Sequence, residues 1–224
     1  MDEQQDPSTT GLGRWLRRVL KPGDVYLDVG ANVGAYVALA SDLVGSTGRV
    51  YAIEPAPDNL ARLHDRFGRL PNIAVVAAAA GERSGIATLH LDRRDGTRHS
   101  VAAGNVGKRG TTIHVRQLAL DDLRTELTAV DVVKIDAQGA ELHILRGARE
   151  LLQRFQPALV LELWPYGLSQ FGATPGEVLE HLDTCGYRVY RLSTEGHPKD
   201  ISHVHRFLSV PGRWRNINIV AVPA

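Results

Sequence analysis

The stretch that decides the fold is Tyr26–Ala40, which reads YLDVGANVGAYVALA. It starts as a short apolar strand and continues, after a turn that contains glycines, as an apolar helix. A strand, a glycine turn and a helix in this order are typical of α/β proteins that bind nucleotides. Gly30 and Gly34 belong to the usual glycine pattern, but Asn32 stands where its middle glycine is expected. The stretch therefore predicts a ligand-binding turn and leaves open which ligand it binds.

The position of Glu54 indicates the kind of ligand. It ends the next predicted strand, YAIEP, about twenty residues after the turn, where a carboxylate can accept hydrogen bonds from the ribose hydroxyls of a nucleoside. Gly30 is expected to let the backbone approach the ligand, and Gly34 to let strand and helix pack closely. In dinucleotide-binding enzymes the middle glycine leaves room for a pyrophosphate, and Asn32 obstructs that approach. The pattern thus favours S-adenosylmethionine over a dinucleotide, and a turn without a ligand is the alternative.

Strand-like and helix-like patterns alternate along the chain. The predicted strands are residues 24–30, 48–55, 72–80, 85–91, 111–118, 130–137, 157–164, 187–192 and 215–223. The predicted helices are residues 10–20, 31–45, 56–70, 139–155 and 174–186, the last with Thr174 as its cap and Pro175 in its first position. The alternation indicates a doubly wound α/β sheet with buried parallel strands. The last two strands have no helix between them, which indicates an antiparallel closing pair.

The 224 residues are expected to form a single domain. Residues 1–9 are polar and acidic, and we expect a flexible tail there. Residues 92–110, DRRDGTRHSVAAGNVGKRG, have neither a helical nor a strand period. A loop this long inside a compact domain usually has a function, and we expect this one to cover the substrate.

The composition excludes several classes of function. The net charge of +1 provides no global field to recruit nucleic acid or an anionic membrane. No apolar run reaches the roughly 18 residues that are needed to span a bilayer. Cys185 is the only cysteine, so an internal disulfide is excluded and a reducing cytoplasm is the expected compartment. Cys185 itself is expected to be a small apolar residue of the interior.

Four charged residues follow or interrupt two of the predicted strands. Lys134 and Asp136 point to one face of a strand, and Asp136 falls at its carboxyl end, where ligands bind in open α/β sheets. Glu141 lies in the first turn of the next predicted helix. Glu162 interrupts the apolar run PALVLELWP, where a buried carboxylate is costly unless it is paired or coordinated. The alternatives are a structural Lys134–Asp136 ion pair, a helix-dipole role for Glu141 and a satisfied core acid at Glu162.

Six segments carry a resemblance to a known family, and they run in family order from about Gly23 to Pro165. They are DVGANVGAY, GRVYAIEPAPDNL, AAGERSG, LALDDL, VVKIDAQGAELHILRGARELL and PALVLELWP. Together they resemble the FkbM family of S-adenosylmethionine-dependent methyltransferases. The resemblance implies the class I methyltransferase (Rossmann-like) fold, a doubly wound, mostly parallel seven-stranded sheet with an antiparallel closing strand. It also implies O-methylation of a sugar or a secondary metabolite, such as a polyketide or glycoside.

The family pattern further implies a set of site residues. The cofactor loop would consist of Asp28, Gly30, Ala31, Asn32 and Gly34, and Glu54 would hold the ribose. Ala79 and Glu82 would lie near the adenine. The transferred methyl group would be faced by Asp136, Glu141 and Glu162, with Lys134 beside them.

One departure from the family pattern concerns the catalytic base. Gln138 stands where the family usually has an acid, and an amide cannot take a proton or bind a cation strongly. Asp136 is therefore the leading candidate to accept the proton of the acceptor hydroxyl. A Mg²⁺ ion held by Asp136 and Glu162 is the alternative. It is not favoured, because two acids are fewer than a metal site normally has.

Weaker signals concern the acceptor side. His99, in the loop of residues 92–110, is a candidate catalytic or acceptor-binding residue, with a solvated surface histidine as the alternative. Trp164 and Tyr166 could stack on a sugar or pack in the core. The segment that contains His197, His203 and His205 is expected to form a flap on the substrate side rather than a zinc site.

Two other classes of function stay open at this point. An NAD-type dehydrogenase is disfavoured by Asn32 and by the closing strand pair, and a non-catalytic binding protein of the same fold is suggested only by Gln138. The expected partner is a small-molecule hydroxyl acceptor. A homodimer is compatible with the sequence.

Overall fold

The computed structural model describes residues 6–91, 100–101, 111–201 and 216–224. The strands in these residues are β1 (Val25–Val29), β2 (Arg49–Glu54), β3 (Ile73–Ala77), β4 (Ala79–Ala80), β5 (Gly85–Leu91), β6 (Thr111–Leu118), β7 (Val132–Ile135), β8 (Ala158–Leu163), β9 (Tyr187–Leu192), β10 (Pro198–Lys199) and β11 (Ile217–Pro223). The α-helices are α1 (Gly11–Val19), α2 (Ala35–Val44), α3 (Pro57–Phe67), α4 (Glu141–Arg146), α5 (Arg149–Phe155), α6 (Pro165–Gln170) and α7 (Pro175–Thr184).

The central sheet has the strand order β3-β2-β1-β7-β8-β11-β9-β10. The strands from β3 to β8 are parallel to their neighbours, while β11 runs antiparallel to both β8 and β9. Apart from the two-residue β10, this confirms the predicted mostly parallel sheet of seven strands with an antiparallel closing strand. The chain moves outward from β1 to β3 and restarts at β7 on the other side of β1. The carboxyl ends of β1 and β7 therefore border the crevice in which such sheets bind ligands.

A second, smaller sheet has the order β4-β6-β5. The strands predicted at residues 85–91 and 111–118 are β5 and β6 with the same boundaries, and they pair antiparallel. The prediction of one strand at residues 72–80 was wrong. Strand β3 stays in the central sheet, whereas β4 pairs with β6. The crossing falls within a run of four alanines, residues 77–80, which has no side-chain period that could reveal it.

Two predicted helices have different bounds in the structure. The helix predicted from residue 31 begins at Ala35, because Asn32 and Gly34 have φ angles of 53° and 83°, which no α-helix contains. The helix predicted at residues 139–155 is divided at Gly147 into α4 and α5. Asp121 stabilises the division, since its N–H donates to the Gly147 carbonyl and its Oδ1 accepts from the Leu151 N–H, both at 2.8 Å.

Some elements were not predicted. They are α6, β10 and the 3₁₀-helices Pro7–Thr9 and Leu120–Thr125. The first 3₁₀-helix lies in the segment that we expected to be a tail, and its cap Asp6 accepts from the Ser8 N–H at 2.9 Å. The predicted cap of α7 is present, since Thr174 and Glu177 form a reciprocal capping box.

The core consists of one apolar layer on each face of the central sheet. One layer joins Leu27 and Ile135 to α4, α5 and α7, with the half-buried Cys185 packed against it. The other joins Tyr26, Val132 and Val160 to α1, α2 and α3. Because side chains alternate along a strand, the polar residues two positions away from this second set share its face. These residues are Asp28, Lys134, Glu162 and Asn218, the last of which lies two residues before Val220 of the same layer.

Candidate active site

Two adjoining cavities lie at the carboxyl ends of the central strands. The larger cavity, about 90 Å³, is bordered by the ends of β1, β2 and β7, by β4 and by Ser100 and Val101. The smaller cavity, about 20 Å³, is bordered by α1, α2 and the ends of β7, β8 and β11. Asp136 lines both of them. The two cavities therefore meet at the residue that the sequence singled out as a base.

The glycine turn is shaped by contacts within the protein. Gly30, with φ 77°, packs so closely on the Asp136 carbonyl that a side chain would collide with it. Gly34 leaves no room for a side chain beside Leu63 and Phe67 of α3. Gly30 also lines the larger cavity, so its expected approach to a ligand stays a prediction. Gly34 was expected to let strand and helix pack closely, and its nearest contacts are with α3. Asn32 adopts the left-handed conformation, which asparagine tolerates better than most residues.

Glu54 joins this turn to the segment that follows β2. Its Oε2 accepts the Asn32 N–H at 2.9 Å, and its Oε1 accepts the Ala56 N–H at 2.9 Å and the Asn59 side-chain amide at 3.3 Å. Burial raises the pKa of Glu54, and the two backbone N–H groups oppose that shift. A carboxylate has about four acceptor positions. Glu54 therefore holds the two loops together and keeps a position for a further donor from the cavity.

The lining of the larger cavity fits a nucleoside. The buried Oδ1 of Asn32 has no hydrogen-bond partner among the described residues, and buried acceptors are normally paired. Together with Glu54 it offers two acceptors for a ribose diol. The neighbouring lining residues are apolar and suit a flat base: Val29, Ile53, Ala78, Ala79 and Leu89.

Lys134 is the centre of a buried charge network. Its Nζ donates to Asp28 Oδ1 at 2.9 Å and to the Gly30 carbonyl at 3.2 Å, and it lies 3.9 Å from Asp136 Oδ2. Burial opposes its charge, but the Asp28 and Asp136 carboxylates raise the pKa of Lys134 well above its ordinary value. Burial also raises the pKa of Asp28, against the pull of Lys134. The ammonium thus joins β7 to the start of the glycine turn.

Asp136 is held in place by Gln138. The Gln138 Nε2 donates to Asp136 Oδ1 at 3.0 Å, and the Asp136 side chain remains 25% exposed. Gln138 has a φ of 54° and also lines the larger cavity. The residue that departs from the family pattern therefore orients the carboxylate that we consider the candidate base.

The remaining two acids have different surroundings. Glu162 is half-buried and lines the smaller cavity, and its Oε1 accepts from Asn216 Nδ2 at 2.6 Å. Burial, with Asp136 and Glu141 nearby, raises the pKa of Glu162 well above its ordinary value. Glu141 is buried, and its Oε1 accepts the N–H groups of Ala137 and Gly139, both at 3.1 Å. Through these two hydrogen bonds Glu141 supports the loop after β7. Burial raises the pKa of Glu141 to about 7.

The structure brings most of the predicted site residues to the two cavities. The larger one is lined by Gly30, Asn32, Glu54, Ala79 and Asp136, and the smaller one by Lys134, Asp136 and Glu162. Five predicted residues line neither cavity: Asp28, Ala31, Gly34, Glu82 and Glu141. Ala31 donates its N–H to the Ile53 carbonyl at 3.1 Å, and the Glu82 carboxylate lies 3.2 Å from Nδ1 of His143. The roles assigned to all of these residues stay predictions.

The acceptor-side predictions are covered in part. His99, His203 and His205 lie outside the described residues. The same is true of the loop of residues 92–110, apart from Ser100 and Val101. His197 Nε2 lies 3.2 Å from Arg18 Nη2. The rings of Trp164 and Tyr166 lie 5.4 Å apart between their centres, at an angle of 46°.

Sequence reasoning missed several residues of the site. Tyr36 and Asn218 line the smaller cavity, and Asn59 and Ser100 line the larger one. A signal existed for Asn218, which interrupts an apolar strand as Glu162 does. Across the described ranges, no group of three or more His, Cys, Asp or Glu residues is placed to hold a metal ion. No helix among these residues is long and apolar enough to cross a membrane.

Comparisons with solved structures define the class of fold. The FkbM methyltransferase of Methylobacillus flagellatus has a TM-score of 0.54 at 18% identity, covering 92% of this chain and 49% of that one. Aeropyrum pernix fibrillarin, solved with natively bound S-adenosyl-L-methionine, has a TM-score of 0.56 at 15% identity, covering 97% of this chain and 76% of that one. The fold is that of the class I methyltransferases.

Sequence comparisons define the family within this class. The family described as "Methyltransferase FkbM domain" matches residues 28–189, and the chain belongs to this family. Two curated relatives are the hexuronic acid methyltransferase AglP of Haloferax volcanii, 28% identical over 62% of this chain, and the 2-O-methyltransferase NoeI of Sinorhizobium fredii, 26% identical over 60% of this chain. The matched regions span only 56% of AglP and 61% of NoeI.

Proposed function

We propose that the protein is an S-adenosylmethionine-dependent O-methyltransferase that acts on a hydroxyl of a sugar or of a secondary metabolite such as a polyketide or glycoside. The observation that carries the proposal is the larger cavity, where Glu54 and Asn32 offer two acceptors beside apolar walls at the ends of β1 and β2. Membership of the FkbM family supports it, as do two relatives that are methyltransferases by name.

In this proposal the cofactor lies along the larger cavity. Glu54 and Asn32 accept hydrogen bonds from the ribose, and Ala79 and its apolar neighbours contact the adenine. Asp28 acts through Lys134, since the ion pair fixes the backbone of Gly30, over which the cofactor passes. When bound, S-adenosylmethionine supplies a methyl group on a sulfonium, which needs little further activation.

Asp136 is the proposed base. The reaction forms a bond between the acceptor oxygen and the methyl carbon, breaks the bond between that carbon and sulfur, and releases the hydroxyl proton. Asp136 takes this proton on an oxygen, while Gln138 holds the carboxylate and Lys134 provides a nearby positive charge. Alignment of the two reactants in the crevice can contribute about 7–11 kcal/mol to the rate enhancement, and the base typically contributes about 10²–10⁴-fold.

The acceptor side is proposed to lie over the ends of β8 and β11. Glu162 is exposed to this side in part, and the Trp164–Tyr166 ring pair follows it directly. The name of AglP makes hexuronic acids the first acceptors to examine. The single cysteine keeps the cytoplasm as the proposed compartment.

A thermal-shift assay tests the cofactor first. S-adenosylhomocysteine at a hundredfold excess over its Kd adds about 2.7 kcal/mol of stability, which raises Tm by roughly 5–10 °C for a chain of this size. NAD, added separately, is expected to leave Tm unchanged. A shift with NAD alone would favour a dehydrogenase and contradict the proposal.

A labelled-donor screen then tests the reaction. Hexuronosides, other glycosides and polyketide alcohols are incubated with S-adenosylmethionine that is labelled in its methyl group, and label is expected on a hydroxyl of one class. Binding of the cofactor without label transfer to any acceptor would favour the non-catalytic alternative.

A further inference from the structure

We propose that the smaller cavity receives a second hydroxyl of the acceptor, next to the one that is methylated, so that the enzyme selects acceptors with vicinal hydroxyls. Glu162 and Asn218 are then the residues that determine this specificity. The inference rests on the proposed function, because it assumes that an acceptor hydroxyl reaches Asp136.

The position of the cavity supports this assignment. Asp136 lines both cavities, so a group in the smaller one lies next to the hydroxyl that Asp136 deprotonates. The neighbouring position on the acceptor is the closest place for a second oxygen. Among the polar lining residues, Asp136, Glu162 and Asn218 are half-buried while Lys134 is buried. The half-buried three form the entrance, and Lys134 lies at the base.

The size of the cavity restricts what can enter it. A volume of about 20 Å³ is little more than the roughly 10–15 Å³ that one water molecule requires. A ring or a carboxylate does not fit, whereas a single hydroxyl does. The remaining walls are the apolar Leu12, Ile135, Val160 and Leu161, together with Tyr36, whose hydroxyl lies 3.1 Å from that of Thr10.

The charges around the cavity select a neutral group. The Lys134 ammonium disfavours a cation there, and the Asp136 carboxylate disfavours an anion. A hydroxyl both donates and accepts hydrogen bonds. The carboxyl of Glu162 can accept a hydrogen bond from this hydroxyl. The side-chain amide of Asn218 can both donate a hydrogen bond to it and accept one from it.

The two strands that carry these residues hold them in register. Glu162 and Asn218 are direct partners in the β8–β11 ladder, and their side chains are on the face that carries Lys134. Asn216, two residues from Asn218, donates to Glu162 Oε1 at 2.6 Å. The Glu162 side chain is thus fixed before the acceptor arrives.

The test combines changes in the acceptor with changes in the protein. The probes are methyl glucuronoside and its 2-, 3- and 4-deoxy analogues, assayed with the full chain and labelled donor. One analogue lacks the reacting hydroxyl and is not methylated. A second, which lacks the neighbouring hydroxyl, is expected to show a kcat/KM lower by about tenfold or more. In the variant Glu162→Leu, the kcat/KM for the parent glycoside is expected to fall by the same factor. The kcat/KM for the analogue that lacks the neighbouring hydroxyl is expected to fall no further than in the wild type.

Controls separate this result from a structural effect. The Kd of S-adenosylhomocysteine is expected to stay within about twofold in Glu162→Leu, and Glu180→Leu, the same change on the exposed face of α7, leaves all acceptor ratios unchanged. If Glu162→Leu does not fold, Glu162→Gln keeps a hydrogen-bonding side chain of the same size and is expected to reduce the discrimination without removing it.

Three results would overturn the inference. The first is equal discrimination between the analogues in wild type and variant. The second is a wild type that tolerates removal of every neighbouring hydroxyl. The third is a protein that binds S-adenosylhomocysteine but neither methylates these glycosides nor binds them in saturation-transfer NMR. Failure to bind S-adenosylhomocysteine at all would instead reject the proposed function. The binding measurement therefore distinguishes this outcome from the three above.

Discussion

The two cavities of the crevice are built in different ways. The larger one is organised by backbone N–H groups, since Glu54 accepts from Asn32 and Ala56, which are 22 and 2 residues away in sequence. The smaller one is organised by charged and amide side chains from distant segments. Lys134 and Asp28 are 106 residues apart, and Asn216 and Glu162 are 54 apart. The first arrangement depends on local turns, and the second depends on the order of the strands.

This difference has a consequence for the effects of mutation. A change in the larger cavity removes a contact while the backbone of the turn keeps much of its shape. A change in the charge network leaves a buried group without its partner, which costs more than the lost contact alone. We therefore expect the acceptor side to be more sensitive to single substitutions than the cofactor side.

The largest effect is expected for Asp136→Asn. The amide keeps the shape of the side chain but cannot accept the proton, so kcat should fall by about 10²–10⁴-fold, with the Kd of S-adenosylhomocysteine changed only slightly. Label transfer and isothermal titration calorimetry measure the two quantities. Asp183→Asn, the same change at an exposed position of α7, is the control. Turnover near that of wild type would remove Asp136 as the base.

Lys134→Met tests the charge network through stability. The variant leaves Asp28 buried without its partner, and we expect the free energy of unfolding to fall by about 3–5 kcal/mol. Urea denaturation measures the change. The second substitution Asp28→Asn should restore part of the loss, because it removes the uncompensated charge. Lys199→Met, at an exposed position, is the control, and a loss as small as in that variant would show that the network is not a stabilising unit.

Glu141→Gln tests the support beneath the loop after β7. The pKa of Glu141 rises from 4.5 to about 7 on folding, so between these values the folded protein binds more protons than the unfolded chain. Stability therefore decreases as pH rises from about 4.5 to about 7 and is level above that range. The glutamine variant lacks this dependence. Its stability relative to wild type should improve over the interval by up to about 3 kcal/mol, and parallel pH profiles would contradict this.

Glu54→Ala tests the larger cavity. Loss of a carboxylate that accepts a ribose hydroxyl removes a charge-assisted hydrogen bond of about 1.5–3 kcal/mol, so the Kd of S-adenosylhomocysteine should rise by roughly 10–100-fold. Glu54→Gln, which retains one oxygen for the Asn32 N–H, should show a smaller increase. An unchanged Kd in the alanine variant would reject the ribose role.

Much of the fold could be predicted from local patterns. Strands β5, β6 and β9 have the predicted boundaries, because each is a short run of β-branched and alternating residues between clear breaks. The Thr174 cap was also predictable, since a capping box is encoded within four residues. The order of the elements was sufficient to indicate a parallel sheet with a closing pair.

The features that were missed depend on contacts between distant segments. The sequence offered a Lys134–Asp136 ion pair as an alternative, and these two groups do lie 3.9 Å apart. The closer carboxylate, at 2.9 Å, is that of Asp28, which is the partner of Lys134 in the β1–β7 ladder. Gly30 was expected to let the backbone approach a ligand, and in the structure it also packs against the Asp136 carbonyl. Neither contact has a local signal, because both arise only when β7 lies beside β1.

The smallest effect is expected for removal of metal ions. A Mg²⁺ ion would need several oxygen ligands. Among the described residues, the carboxylates that line the smaller cavity are those of Asp136 and Glu162. Lys134 already places a positive charge 3.9 Å from Asp136, so a divalent cation there would meet repulsion from a buried ammonium. We therefore expect label transfer to continue at its full rate after exhaustive EDTA treatment and gel filtration. Activity that is lost with EDTA and returns with Mg²⁺ would show that the acceptor side is built around a cation, and the distinction between the two cavities would have to be redrawn.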